Sequence, residues 1–487
     1  MRCLAAAALL AVTGCAVGPK YVKPSAPVPS TYKEMAGWKI ASPSETAIRG
    51  DWWKLFADPY LDSLEAGVSI SNQNIIQAAA QYRQALELVK AARANYFPTV
   101  TAGAAYSRSR SASGFSQGSA APSAAPGTVS DYSLPIDATW DLDIWGKVRR
   151  QVEASRAGAQ ASQADLEAVR LSAQTALAED YFQLRTLDTQ TKIFDDTIQN
   201  YRKSLVLTQN RYASGVASMA DVLQAETQLK TTQAQAIDIG VRRAQLEHAI
   251  ALLIGKPASD FSVPPSPYAV TSTVSLPAIP VGLPSELLER RPDIASAERH
   301  VAAANAQIGI AAAAFYPNVT LSASAGFRSS SFSDWLSWPS RFWAVGPTLT
   351  ESIFEGGLRR ALTEEARAAY DANVAFYRQT VLAAFGEVED NLATLRILEK
   401  ESRVQEAAVK ASQKAVTVIS NQYKAGIVSY LNVINSQTAE LVNEKAAAQI
   451  MGNRLTAAVL LIKALGGGWD VSALGMNPAM TPVTDGK

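Results

Sequence analysis

Two spacings of hydrophobic positions divide this chain. In 131–144 every even position is apolar (Tyr132, Leu134, Ile136, Ala138, Trp140, Leu142, Ile144), and Asp131, Asp137, Asp141 and Asp143 stand among the odd ones. In 318–328 the odd positions Val319, Leu321, Ala323, Ala325 and Phe327 are apolar. Segments 99–108 and 341–353 alternate more weakly, through Val100, Ala102, Ala104 and Tyr106, and through Trp343, Val345, Pro347 and Leu349. A period of two predicts four β-strands with unlike faces. Elsewhere the period is three to four, as in Leu177, Tyr181, Leu184, Leu187, Ile198, Tyr201 and Leu205, or Val381, Phe385, Val388, Leu392 and Leu395. Such rows form narrow, coiled-coil-like seams. No proline falls between Pro135 and Pro257, or between Pro347 and Pro478. Each span is expected to hold a helix of about 65 residues, a tight turn and a second helix of about 35; the longer would reach roughly 100 Å.

The chain says all this twice. Asn95-Tyr96-Phe97-Pro98-Thr99-Val100 is echoed by Ala314-Phe315-Tyr316-Pro317-Asn318-Val319, with Phe97 and Tyr316 219 positions apart. Asn210-Arg211-Tyr212-Ala213-Ser214-Gly215-Val216-Ala217-Ser218 is echoed by Asn421-Gln422-Tyr423-Lys424-Ala425-Gly426-Ile427-Val428-Ser429, with Tyr212 and Tyr423 211 apart. A duplicated strand–helix unit predicts an assembly with internal symmetry. The expected layout is 1–14 a signal segment, 15–59 a proline-rich N-terminal arm, 60–255 the first repeat, 256–283 a proline-rich linker, 284–465 the second repeat, and 466–487 a glycine-rich tail.

Alternation over about ten residues matches a membrane-spanning strand with one face in lipid and one in water. Tyr106, Tyr132, Phe327 and Trp343 suit the interface, and segments 111–129 and 329–340 read as external loops. The alternative is a soluble sandwich. In hydrocarbon a sheet must close, and four strands are too few, because the smallest barrels have about eight. Several copies must therefore contribute strands.

The N-terminus holds Arg2 and the apolar run Leu4 to Val12, a secretion signal. It ends in Val12-Thr13-Gly14-Cys15, which resembles the lipobox of bacterial lipoproteins and implies cleavage before Cys15 and its acylation (palmitate). The 45 Lys+Arg against 44 Asp+Glu exclude a basic footprint for nucleic acid. Cys3 leaves with the signal, so no disulfide framework is expected. The only histidines, His248 and His300, have no metal-ligand spacing, and no catalytic motif is present, so neither cofactor, metal site nor enzyme is expected.

Three stretches carry a family resemblance. They are Gly14-Cys15-Ala16-Val17-Gly18-Pro19-Lys20-Tyr21, Trp52-Trp53-Lys54-Leu55-Phe56-Ala57-Asp58-Pro59, and Leu287-Leu288-Glu289-Arg290-Arg291-Pro292-Asp293-Ile294 continuing through Glu298-Arg299 to Phe315-Tyr316-Pro317. Together they resemble the TolC-like outer membrane factors, in the lipoprotein branch that serves proton-driven efflux pumps. The resemblance implies a mixed, mainly α fold. Three chains with four strands each would complete a twelve-stranded outer membrane β-barrel that continues into a long periplasmic α-helical barrel. It implies a homotrimer, lipid-anchored at Cys15 in the outer membrane, a periplasmic adaptor, and an inner membrane efflux pump that supplies the energy.

The same resemblance assigns candidate sites. Ser214, Gly215, Val216, Ala217 and Ser218, with Ala425, Gly426, Ile427, Val428 and Ser429, would be the hairpin tips that meet the adaptor. Gly215 and Gly426 also suit a sharp helix exit. Leu431 and Asn435, four apart on one helix face, match positions that narrow the resting channel; the family's Asp is Asn435 here. Asp221 is a further aperture candidate, with a helix N-terminal residue as its alternative reading. The strand alternation, rather than the resemblance, puts Asp137, Asp141 and Asp143 on one predicted water-facing side, where they would bias the barrel lumen toward cations or serve only to solvate it. A type I protein-secretion channel and a non-pore periplasmic coiled-coil lipoprotein are the rival functions. The cargo is not legible.

Overall fold

The computed structural model describes residues 16–34, 50–110, 128–268, 279 and 287–475. The expected lipid site Cys15 lies outside them. Seven α-helices carry the described chain: α1 Pro59–Ser71, α2 Gln73–Ala94, α3 Lys147–Ala213, α4 Met219–Leu253, α5 Pro292–Ala313, α6 Leu358–Lys424 and α7 Tyr430–Ala464. One-turn helices are left unlabelled. The duplication is close: α3 and α6 both have 67 residues, α4 and α7 both 35, α2 and α5 both 22.

Asn72 splits the first helical stretch in two. Its backbone is extended, and its Oδ1 accepts from the N–H groups of Asn74 and Ile75, capping α2. Its Nδ2 donates to Leu253 O at 2.8 Å. At the start of α1, Asp58 caps Tyr60 and Leu61, with Pro59 at the first helical position.

The strands are β1 Thr99–Ala102, β2 Ala105–Arg110, β3 Thr128–Asp141, β4 Asn318–Ser329 and β5 Arg341–Thr350. They form one antiparallel sheet in the order β1-β3-β4-β5, with β2 also on β3. β1 and β2 are one strand in register, since Thr99 pairs with Thr139 and Ala105 with Ser133, position sums that are both 238. The break falls at Gly103, which donates to Pro135 O at 3.0 Å. Pro135 has no N–H to return, so the ladder skips a rung. On its other side Pro135 faces Gly326, where a Cβ would lie 2.1 Å from Leu134 O. Glycines thus flank on both sides a proline that a central strand would otherwise reject. The expected strands 131–144 and 341–353 end earlier, at Asp141 and Thr350.

The chain separates into two compact units. One comprises 1–24, 83–161 and 298–376; the other comprises 25–82, 162–297 and 377–487. Each draws on both sequence repeats, so the repeat boundary is not a boundary in space. The first unit holds the sheet. There the arm runs past Gly18, whose backbone touches Gly309, and Pro19 O accepts from Asn305 Nδ2 at 3.1 Å. Arg150 donates to Val17 O and Gly18 O, both at 3.2 Å.

In the second unit the predicted seam is the core. Leu177, Tyr181, Leu184, Tyr201, Val381, Phe385, Val388, Leu392 and Leu395 are buried. Arg291 joins three elements. It pairs with Asp293 at 2.7 Å and with Glu387 of α6 at 2.7 Å, and it donates to Ala464 O at the end of α7 at 3.1 Å. Asp188 accepts from Arg185, from Arg243 and from Ser266 N, which fastens the start of the linker against α3 and α4.

Candidate functional site

Both long-helix hairpins turn in the same way. Gly215 N–H bonds Tyr212 O and Val216 N–H bonds Arg211 O; Gly426 N–H bonds Tyr423 O and Ile427 N–H bonds Gln422 O. This is the Schellman closure, with the glycines at φ 73° and 77°. Past the first turn Ser218 and Asp221 form a capping box. The Asp221 carboxylate accepts from Ser218 N at 3.0 Å and Ser218 Oγ at 2.9 Å, and Asp221 N donates back to Ser218 Oγ. In the second turn the equivalent Asn432 reaches Ser429 Oγ at 3.2 Å.

One side chain ties the two turns together. Arg211, on the last turn of α3, donates from Nη1 to Lys424 O at 3.1 Å, with its guanidinium 4.8 Å from the Tyr423 ring centroid. Tyr423 is buried with Ala225, Tyr430 and Val433, packed by Leu205, Leu207, Ile419 and Val428. Behind this cluster lies a cavity of about 530 Å³ between α3, α6 and α7, bordered by Tyr201, Ser204, Gln413, Tyr430, Gln437 and Glu440. Burial, with Glu444 adding repulsion, pushes the Glu440 carboxyl up to about 7.

The tip residues proposed from the sequence come together as a surface. Val216 (64% exposed) and Ile427 (72%) present bare aliphatic side chains, joined by Met219 and Leu431. Leu431 and Asn435 both lie on the exposed side of α7, while Tyr430, Val433 and Gln437 turn inward. The Asp221 carboxylate is occupied by its cap. Arg211 and Glu440 were missed. In the repeat Arg211 stands against Gln422, and that departure from symmetry was the legible signal for it.

On the sheet Asp137 accepts from Ser324 Oγ at 2.6 Å, and Asp141 from Thr320 Oγ1 at 2.8 Å. Arg328 grips Asp131 with two bonds of 2.9 Å on the same face. Asp143 does not belong with them. It lies beyond β3 and caps α3, accepting from Val148 N at 2.8 Å and Arg149 N at 2.9 Å. The alternation that included it continued by chance into the turn. The opposite face carries Val100, Tyr106, Ile136, Trp343, Val345 and Leu349, all exposed in the single chain. Among the described residues no group of three or more His, Cys, Asp or Glu is placed to hold a metal, and no helix is long and apolar enough to cross a membrane.

An open sheet with one polar and one bare apolar face, in a chain that also folds two long helical hairpins, combines the elements of an outer membrane channel. Residues 68–256 and 283–467 match the outer membrane efflux protein family, and the chain belongs to that family. It is 30% identical to the pyoverdine export outer membrane protein OpmQ of Pseudomonas aeruginosa, over 96% of this chain and 97% of the relative. It is also 30% identical to the toluene efflux pump outer membrane protein TtgC of Pseudomonas putida, over 94% of this chain and 93% of that one. The solved channel OprN matches with a TM-score of 0.86 at 30% identity, covering 93% of this chain and all of that one. The open-state MtrE channel of Neisseria gonorrhoeae matches at 0.81 and 27%, covering 94% and 99%. The chain has the fold of the TolC-like channels and is an outer membrane efflux channel.

Proposed function

We propose that three copies form a passive exit duct that receives small molecules at the hairpin tips from a periplasmic adaptor and an inner membrane pump. The observation that carries this reading is the pair of tips. Each is a rigid Schellman turn with uncovered aliphatic side chains, and the two are latched to each other by Arg211. A partner surface that covers Val216 and Ile427 would gain the free energy of taking their apolar area out of water. The same contact could pull on the latch. Opening then consists of the helix ends moving outward between two packings. In this reading the inner membrane pump supplies the energy and the duct is passive.

The names of the relatives, pyoverdine export and toluene efflux, favour small-molecule cargo. Leu431 and Asn435 on the exposed side of α7 are proposed to narrow the resting mouth; a neutral Asn435 there gives a ring of amides. Asp137 and Asp141 are proposed to wet the barrel lumen. Cys15 is proposed as the acylation site. Its neighbour Ala16 rests against Gly146, at the junction of β3 and α3, a position suited to an anchor at the membrane's inner face.

The test is a photo-reactive residue at position 427 in exporting cells that contain periplasmic adaptor proteins. Cross-linking to a periplasmic adaptor from Ile427, and not from a mid-helix position such as Val404, is the expected result. Equal cross-linking from both positions, or none from the tip while export continues, would overturn the reading.

A further inference from the structure

We infer that the loop end of the sheet binds the phosphate groups of an outer-leaflet lipid, and that each site is completed by a neighbouring copy; this rests on the three-copy barrel proposed above. Residues directly opposite in an antiparallel pair share a face. Tyr106 opposes Tyr132, Leu134 opposes Phe327, and Phe327 opposes Arg341. Arg341 therefore stands on the apolar face. The period of two puts Arg108 and Arg110 on the face of Tyr106, the same one. Arg328 opposes Ser133 on the polar face and is already held by Asp131.

From Arg341 to Leu349 is eight residues, about 27 Å of strand, close to the ~25 Å apolar band of an outer membrane barrel. The arginines lie at the loop ends of their strands, where a long side chain can reach the headgroups from an apolar wall. Among the described residues none of the three has an acidic partner. The sheet's acids, Asp131, Asp137 and Asp141, all belong to the other face, and Asp334 of the 330–340 loop takes a bond from Ser333. Arg341 stacks 3.4 Å over the Trp338 ring. Stacking fixes the guanidinium plane and leaves its N–H edge to meet an anion.

Position in the sheet supplies the second half of the argument. Arg108 and Arg110 are on β2 at one edge, and Arg341 is on β5 at the other. β1 and β2 run toward the loop end and β5 runs away from it, so β5 of one copy can pair antiparallel with β1–β2 of the next. Closing the ring brings Arg341 of each copy toward Arg108 and Arg110 of its neighbour. Three positive clusters result, each beside the exposed Trp338 and Trp343. Arginine forks bind phosphate oxygens bidentately, and the tryptophans offer a surface for acyl chains. The chemistry fits a phosphorylated glycolipid.

The experiment incubates the purified full-length assembly with diphosphorylated lipid A, with dephosphorylated lipid A, or with inorganic phosphate. Native mass spectrometry counts both chains and retained lipids. Diphosphorylated lipid A should be retained, up to three per three-chain particle, in preference to the dephosphorylated form. The variant R108Q/R110Q/R341Q should lose affinity about tenfold or more, and R328Q should not. R341Q alone, expected to lose several-fold, serves if the triple variant assembles poorly. Equal retention of both lipids, unchanged affinity in the variants, or displacement by equimolar inorganic phosphate (a free-anion site) would each overturn the inference. Three-chain particles without lipid preference refute this site alone; particles of another stoichiometry refute the barrel.

Discussion

Arg211 and Tyr423 lock the two hairpin turns of one chain together: the guanidinium lies over the ring at 4.8 Å, and its Nη1 holds the carbonyl of Lys424 beside it. Removing the side chain deletes a cation–π contact and a charged hydrogen bond, each worth about 1 kcal/mol or more. R211A is expected to raise the single-channel conductance of the purified assembly in planar bilayers. R211K, which keeps the charge but not the planar fork, should fall between R211A and wild type. Unchanged conductance in R211A would remove Arg211 from the latch.

The turns depend on left-handed glycines. Gly215→Ala and Gly426→Ala each force a Cβ into φ 73° or 77°, at a cost of roughly 1–2 kcal/mol. Asn at either position should cost less, because it tolerates that conformation. Hydrogen exchange at the turn amides checks the order Gly, Asn, Ala in protection.

Gly326 is where β4 passes the Leu134–Pro135 step. The added methyl of G326A would sit 2.1 Å from Leu134 O, so the strands must separate, at about 1–3 kcal/mol. In semi-native electrophoresis the G326A oligomer should dissociate at a lower temperature than wild type. G346A, with nothing within 4 Å of its Cβ in the single chain, is the matched control and should behave as wild type.

Glu440 gives the tip region a pH dependence. Its folded-state value, about 7, lies above the ordinary carboxylate range because burial disfavours the charge. A raised acid binds its proton more tightly in the folded state. Its contribution is therefore fully present below about 4.5 and is lost as pH rises through about 7. Between pH 8 and pH 5 the wild type should gain stability, and E440Q should be more stable than wild type at pH 8 with a flatter profile. Thermal midpoints across that range test it; parallel profiles would contradict the assignment.

Arg291 is buried, with two acids and a helix-end carbonyl around it. R291A leaves Asp293, Glu387 and Ala464 O without it; because both acids are about half exposed, the cost should be about 1–2 kcal/mol. A lower urea midpoint with unchanged slope is the expected signature.

The large features were written in the sequence because each follows from a repeating pattern. The 67- and 35-residue helices follow from seam spacing and the absence of proline, and β3 and β4 from strict alternation. What escaped depended on single side chains. Asn72 divides the first helix through a cap that no periodicity records. Asp143 continued the strand pattern by parity yet serves α3. The Gly103–Pro135–Gly326 row needs the register before its glycines make sense. Asp221, by contrast, has its carboxylate taken by Ser218, the helix N-terminal role that the spacing Ser218-x-x-Asp221 already spells. Arg211 stands at a position where the two repeats differ, against Gln422, so no shared pattern marks it.

One chain carries a third of a barrel. β1–β2 and β5 end the described sheet as open edges, and its apolar face is bare. Light scattering on the detergent-solubilised, purified protein counts the chains most directly. Three chains per particle, with no soluble form in the absence of detergent, is the predicted result. A single chain that stays monodisperse in detergent-free buffer would contradict it.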